Sequence, residues 1–220
     1  MELAQYRVAV IPGDGVGPEV VEAALRVLQG LEEAYPRVGF DFVFIEAGMS
    51  RYERTGVQIG DEDLEAIKAC RALLKGPTAT PTGPGSYRSV AVTIRKALDL
   101  YANVRPFKAY PGVPCLRPDV DFVIVRENTE DVYKGWEFEV VPGEAAVCLR
   151  PITKAGSLRI AEYAFRLAEQ RGGRRKVTAV HKANVMRVTD GLFAKACREV
   201  ASRHPSVAYE EMYVDACAMQ

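Results

Sequence analysis

The chain has 220 residues, with 29 Lys and Arg against 29 Asp and Glu and 48% hydrophobic residues, enough for a sizeable core in one or two globular domains. Zero formal net charge argues against a general nucleic-acid or anionic-membrane surface. Five scattered cysteines without metal-ligand or redox spacing read as reduced thiols, and Met1-Glu2-Leu3-Ala4-Gln5 lacks the basic end and apolar run of a secretory signal, so a cytoplasmic protein is expected.

In chain order, Arg7 to Ile11 is a short β-branched apolar run, broken by Pro12-Gly13-Asp14-Gly15-Val16-Gly17 before a helix over 18–35 that opens with Pro18. Its expected apolar face is Val20, Ala24, Val27, Leu28 and Leu31. Strand, glycine loop and helix open an α/β unit, and a second strand follows at Phe40 to Ile45. The glycines invite a dinucleotide reading, with Glu46 as ribose partner, but they miss the Gly-x-Gly-x-x-Gly spacing and Asp14 would repel a pyrophosphate. They are read as loop geometry. Asp61 to Cys70 begins with acids in its first turn and is expected to be helical. Ala72 to Gly76 reads as a strand, followed by a Pro/Thr/Gly loop that puts Thr78 and Ser86 near the carboxyl edge of a parallel sheet.

Between positions 81 and 126, seven Lys or Arg stand against three Asp, a local excess that suits a small polyanion. Ser89 begins a helix whose start favours an anion, with service as a plain N-cap the competing reading. Arg95 lies late in that helix, Arg105 in an extended stretch before Pro106, and Arg126 at the end of the apolar run Phe122 to Val125. Three guanidinium groups from three elements can converge on a substrate with two or three carboxylates, because each pairs bidentately and stays charged. Residues 127–144 carry six acids and one lysine, and 136–141 with 145–149 form a hairpin signal around Pro142-Gly143. The remainder predicts a helix over 154–171, a strand at 175–180, a helix over 189–203 and a strand at 207–214 leading to Asp215. Near-regular alternation of strand and helix gives an α/β protein with a mainly parallel sheet.

Several motifs, taken together and in order, resemble those of the metal-dependent β-decarboxylating dehydrogenases, the isocitrate, homoisocitrate and 3-isopropylmalate enzymes. They are Ile11-Pro12-Gly13-Asp14-Gly15-Val16-Gly17-Pro18-Glu19, Ser89 with Arg95, Asp99 to Pro106, Arg126-Glu127-Asn128-Thr129-Glu130-Asp131-Val132-Tyr133, His181-Lys182-Ala183-Asn184 and Asp215 to Gln220. The resemblance implies a large domain begun by residues 1–104, with helices on both faces of the sheet. A smaller α/β domain would span 105–220, with a hairpin arm at about 134–150 that clasps a second copy of the chain. It also implies Ser89, Arg95, Arg105 and Arg126 as substrate ligands, Tyr133 as proton donor, Lys182 as the base for the hydroxyl proton and Asp215 as a ligand of Mg²⁺ or Mn²⁺.

In such enzymes the lysine and this aspartate serve the neighbouring subunit, which implies a homodimer with shared active sites. The cofactor would be NAD or NADP, with Thr78 a candidate contact and His181 a packing or orienting residue. The implied substrate order is isocitrate, then homoisocitrate, then 3-isopropylmalate, although Ala91 replaces the Asn usual in isocitrate enzymes. Relatives continue beyond the position of Gln220 through further metal ligands and the adenosine pocket. The chain alone is therefore expected to be inactive, as a truncated piece or a short form. A non-catalytic regulatory subunit is the competing class, disfavoured because an effector site needs carboxylate clamps but neither a base nor a proton donor.

Overall fold

A computed structural model describes residues 4–80 and 89–220; Ser86 lies outside the described residues. The chain divides into two compact units, residues 1–98 and 99–220. A boundary after residue 104 would cut through β4 (Ala102–Lys108), whose antiparallel ladder with β5 (Asp121–Glu127) runs from Ala102 opposite Glu127 to Lys108 opposite Asp121. The division therefore falls before that strand.

The first unit is built on a parallel sheet in the order β2 (Val38–Phe44), β1 (Ala4–Ile11), β3 (Ala72–Lys75). Successive side chains of a strand point to opposite faces, and both faces of β1 are buried. Val8 and Val10 pack with Val21 and Leu25 of α1 (Gly17–Ala34), while Ala9 and Ile11 pack with Ile67 of α3 (Asp61–Lys68) and with Val90 and Ile94 of α4 (Val90–Ala97). This is the layered α/β arrangement with helices on both faces of the sheet. The buried seam of α1 is Val21 with Leu25 packed against the core, whereas Val20, Val27 and Leu31 are exposed. The expected face was thus rotated by about one residue from the one the sheet selects, because apolar residues continue around this helix and its periodicity leaves the phase open. A short helix α2 (Met49–Thr55), absent from the sequence expectation, closes with Gly56 at φ +76°, a left-handed cap natural to glycine.

In the second unit, β4 and β5 form one antiparallel ribbon and β6 (Trp136–Val141) with β7 (Ala145–Leu149) a hairpin, while β8 (Lys176–His181) and β9 (Ala208–Tyr213) pair in parallel. Helices α5 (Lys154–Arg171) and α6 (Thr189–Ala201) bury Ala161, Phe165, Cys197 and Val200 with Ala179 of β8 and Val207. A short helix α7 (Val214–Met219) follows β9. The hairpin strands are exposed along their length, including Trp136 at 54% and Phe138 at 56%. No helix among the described residues is long and apolar enough to cross a membrane, and all five cysteines are free thiols.

Candidate active site

At the carboxyl edge of the first sheet the backbones of two loops press together. A Cβ on Gly13, at φ +80°, would stand 2.0 Å from the Pro77 carbonyl oxygen, and one on Gly76 2.1 Å from that of Pro12. Only glycine permits both contacts, and Asp14 N–H donates to the Pro77 oxygen at 2.7 Å across the same seam. The Asp14 carboxylate accepts from Met49 N at 3.0 Å and Ala79 N at 2.8 Å. The glycine opening thus serves loop packing, and Asp14 ties down the backbone beside the half-buried Thr78. Glu46 is paired with Arg54.

On the same edge Lys75 ends β3, donating to the Gly76 carbonyl at 2.8 Å. Burial pushes its ammonium below the ordinary lysine range, the nearby Arg95 guanidinium adds to this, and Asp14 opposes it. Two cations, Lys75 and Arg95, therefore influence one another at the end of a parallel strand. Ser89 holds the N-cap position of α4 without a side-chain capping bond, so its hydroxyl is not consumed there.

The second unit gathers the remaining candidates. Asn103 lies opposite Arg126 across the β4–β5 ladder. Arg105, two residues beyond Asn103, therefore shares a face with both, and its Nε donates to Asn103 Oδ1 at 3.2 Å. Arg105 and Arg126 thus come from two paired strands rather than from independent elements. The Arg126 guanidinium carbon stands 4.9 Å from the centroid of the Tyr133 ring, an attraction between cation and ring face. Tyr133 sits in a single 3₁₀ turn, Asp131–Lys134, with Asp131 at φ +57°.

The acids preceding that turn have structural work. Glu127 accepts from Thr129 N at 2.8 Å, Thr129 Oγ1 at 2.6 Å and Glu130 N at 2.7 Å. Buried Glu130 accepts from Thr153 N at 2.9 Å and Thr153 Oγ1 at 2.5 Å, while Thr153 Oγ1 caps α5 by accepting from Gly156 N at 3.0 Å. A buried carboxylate at a helix N-terminus is stabilised by the macrodipole and by these donors.

Lys182 follows β8 and Asp215 lies in the first turn of α7 after β9, with His181 and Tyr213 in register at the ends of the two parallel strands. The strands therefore deliver both residues to one carboxyl edge, and Lys182 Nζ forms an ion pair with Asp215 Oδ1. Asp215 is an exposed helix residue, and the Lys182 ammonium holds its carboxyl below the usual carboxylate range. Lys182 N–H donates to Asp190 Oδ2 at 2.6 Å, which fixes the backbone at the base of the lysine. His181 is buried; its Nδ1 accepts from Ala183 N at 3.2 Å, and its Nε2 faces Glu211 Oε2 at 3.3 Å. Arg198 grips Glu211 with two bonds of 2.6 and 2.7 Å and holds its carboxyl low. His181, Arg198 and Glu211 line a cavity of about 320 Å³ with Ala183, Met212 and Tyr213.

Among the described residues no group of three or more His, Cys, Asp or Glu side chains forms a metal centre. Asp215 is one exposed carboxylate oxygen donor, of the type that suits Mg²⁺ or Mn²⁺. The site groups thus fall within the two units as Thr78, Ser89, Lys75 and Arg95 in the first, and Arg105, Arg126, Tyr133, Lys182 and Asp215 in the second. Sequence reasoning missed Lys75 and Asp190. A lysine ending a short apolar strand before a Gly-Pro loop was a signal for the first; Asp190 acts through a side-chain contact to the Lys182 backbone that no motif marks.

A parallel α/β unit with Lys75 at its carboxyl edge, and a second unit carrying arginines, a tyrosine and a Lys–Asp pair, define an α/β protein. The chain belongs to the isocitrate/isopropylmalate dehydrogenase family, whose model matches residues 7–220. It is 48% identical over 217 residues to the 3-isopropylmalate dehydrogenase of Methanothermobacter thermautotrophicus, covering 99% of this chain and 62% of that one. It is 44% identical to the Arabidopsis thaliana protein named isocitrate dehydrogenase [NAD] catalytic subunit 5, mitochondrial, covering 96% of this chain and 54% of that one. The crystal structure of isocitrate dehydrogenase from Methylococcus capsulatus matches with a TM-score of 0.86 at 44% identity, over 98% of this chain and 62% of that one. The chain therefore spans 54% to 62% of the length of these three relatives.

Proposed function

We propose that this chain supplies the carboxylate clamps and proton-transfer groups of an enzyme that oxidatively decarboxylates a 2-hydroxy acid, with 3-isopropylmalate ahead of isocitrate and homoisocitrate. The greater identity to an isopropylmalate enzyme than to the isocitrate one supports this order over the isocitrate-first order that the motif resemblance implies. Arg105 and Arg126 share a ribbon face suited to one carboxylate, and Ser89 and Arg95 would hold another. Lys182, anchored through its backbone to Asp190, takes the hydroxyl proton, and Tyr133 returns a proton to the carbon that loses carbon dioxide. Asp215 would be one ligand of Mg²⁺ or Mn²⁺, whose contribution is polarisation of the hydroxyl and carboxylate oxygens. Thr78 would lie beside NAD or NADP, which contributes hydride acceptance. The apolar hairpin, with Trp136 and Phe138 exposed, would be covered by a second copy in a homodimer with shared sites.

The observation that carries this reading is the Lys182–Asp215 pair at the carboxyl ends of neighbouring parallel strands, where α/β proteins bind ligands. The test is steady-state turnover by the complete enzyme of all three acids, with NAD and with NADP, and with and without Mg²⁺ or Mn²⁺. Turnover of none of them refutes the reading, and a strong preference for isocitrate reverses the order.

A further inference from the structure

Tyr133 and Lys182 lie 49 positions apart in sequence, on segments that share no backbone ladder. One side chain touches both. Arg150, just beyond β7, makes a two-pronged pair with Asp131, through Nε to Oδ1 and through Nη2 to Oδ2 at 2.7 Å. Its remaining nitrogen, Nη1, reaches Met186 Sδ at 2.9 Å. Asp131 is the first residue of the 3₁₀ turn that carries Tyr133. Met186 closes the turn that begins at Lys182, whose carbonyl accepts from Val185 N at 3.0 Å and Met186 N at 2.9 Å.

The contacts continue at both ends. Toward the tyrosine, Asp131 feels the field of Arg126, whose guanidinium lies over the Tyr133 ring. Toward the lysine, Arg150 feels the field of Asp190, which accepts the Lys182 N–H. Asp131 also needs an external hold. Its φ of +57° is a left-handed conformation that a non-glycine residue keeps at some cost. The guanidinium fork grips its carboxylate, while its N–H donates to the Pro151 carbonyl, immediately after Arg150, at 3.1 Å. A planar fork with a third donor suits this double task, whereas a lysine ammonium can pair with Asp131 but cannot reproduce the rigid two-sided geometry.

We propose that Arg150 is a positioning residue that locks the turn carrying Tyr133 to the turn carrying Lys182, so that in a dimer with shared sites it ties the proton donor of one site to the base of the neighbouring site. The roles of those two residues rest on the function proposed above; the lock itself rests on the contacts alone. Arg150 touches neither the ribbon face of Arg105 and Arg126 nor the helix of Ser89 and Arg95 through any of these bonds. Its loss is therefore expected to spare substrate capture and to impair the proton-transfer geometry.

The test compares the complete enzyme with its Arg150→Met and Arg150→Lys variants. Arg117→Met, which removes an exposed pair with Asp119, is the control for loss of a surface arginine. Misplacement of a reacting group by about 1 Å costs on the order of a hundredfold, so Arg150→Met should lower kcat by about ten- to a hundredfold while KM for the acid stays within about threefold. Arg150→Lys should recover part of kcat, and Arg117→Met should leave both constants unchanged. Amide hydrogen exchange supplies a reading independent of turnover. In Arg150→Met, exchange should quicken both at Tyr133 and Gly135 and at Val185 and Met186, amides that are hydrogen-bonded inside the two turns. Unchanged kcat in folded Arg150→Met, a rise in KM alone, or faster exchange in only one of the turns overturns the proposal. If the unaltered enzyme turns over none of the acids, the proposed function fails, and the paired exchange response still decides whether the lock exists.

Discussion

Replacing Gly156 with alanine should destabilise this protein, against the ordinary rule for helices. Gly156 lies in the first turn of α5, and alanine in place of glycine inside a helix is usually worth up to about 1 kcal/mol in stability. Here a Cβ would stand 2.6 Å from Glu130 Cδ and Oε2 and 2.7 Å from Oε1. The Glu130 side chain is flexible in principle, but it is buried and bound to Thr153 N and Oγ1. Retaining those bonds means strain, and over-packing of this kind costs about 1–3 kcal/mol. Withdrawing the carboxylate forfeits two hydrogen bonds to a charged acceptor, each worth about 1.5–3 kcal/mol.

The cheaper of these two routes, set against the helix gain, leaves an expected net loss of about 1 kcal/mol, or roughly 2–4 °C in Tm for a chain of this size. The assay is urea or thermal unfolding followed by circular dichroism. Gly30→Ala serves as comparison, since Gly30 is exposed inside α1 with no heavy atom within 4 Å of where its Cβ would stand, and it should stabilise. A cycle with Glu130→Ala completes the test: once the carboxylate is gone, Gly156→Ala should stop destabilising. Stabilisation by Gly156→Ala comparable to that from Gly30→Ala would refute the argument that Glu130 occupies this space.

Three further outcomes follow from the geometry. His204 bridges Glu169 at 3.0 Å and Glu162 at 3.2 Å, pairing that raises its pKa above the ordinary value. Its stabilising contribution is therefore full below the unfolded histidine value of about 6.5 and is lost as pH rises through the higher folded value; Tm should fall across that interval, and His204→Gln should flatten the slope. Burial pushes the Cys197 thiol up to about 12, so it should resist alkylation in the folded chain and react on unfolding, while exposed Cys115 and Cys148 react at once, as mass spectrometry of alkylated peptides would show. In the complete enzyme, Lys182→Met should lower kcat by about a hundredfold or more, the usual range for a positioned acid or base, with substrate affinity nearly kept; retained kcat would remove Lys182 from proton transfer.

The order and type of most elements were legible in the chain, because they depend on local pattern. Residues 154–171 read as a helix from periodicity alone, and Thr153 caps it in the structure; the hairpin at 136–149 was signalled by Pro142-Gly143 between apolar runs. Tertiary structure decided everything that depends on contacts distant in sequence or on rotational phase. The pairing of β8 with β9 brings Lys182 to Asp215 across 33 residues, which no spacing rule announces. The sheet selects Val21 and Leu25 as the buried seam of α1, although its apolar residues allowed another. Glu130, read in sequence as part of a functional motif, is bound to the start of α5. A carboxylate looks the same in sequence whether it meets solvent, a cation or a buried helix end, and only the fold determines which of these surrounds it.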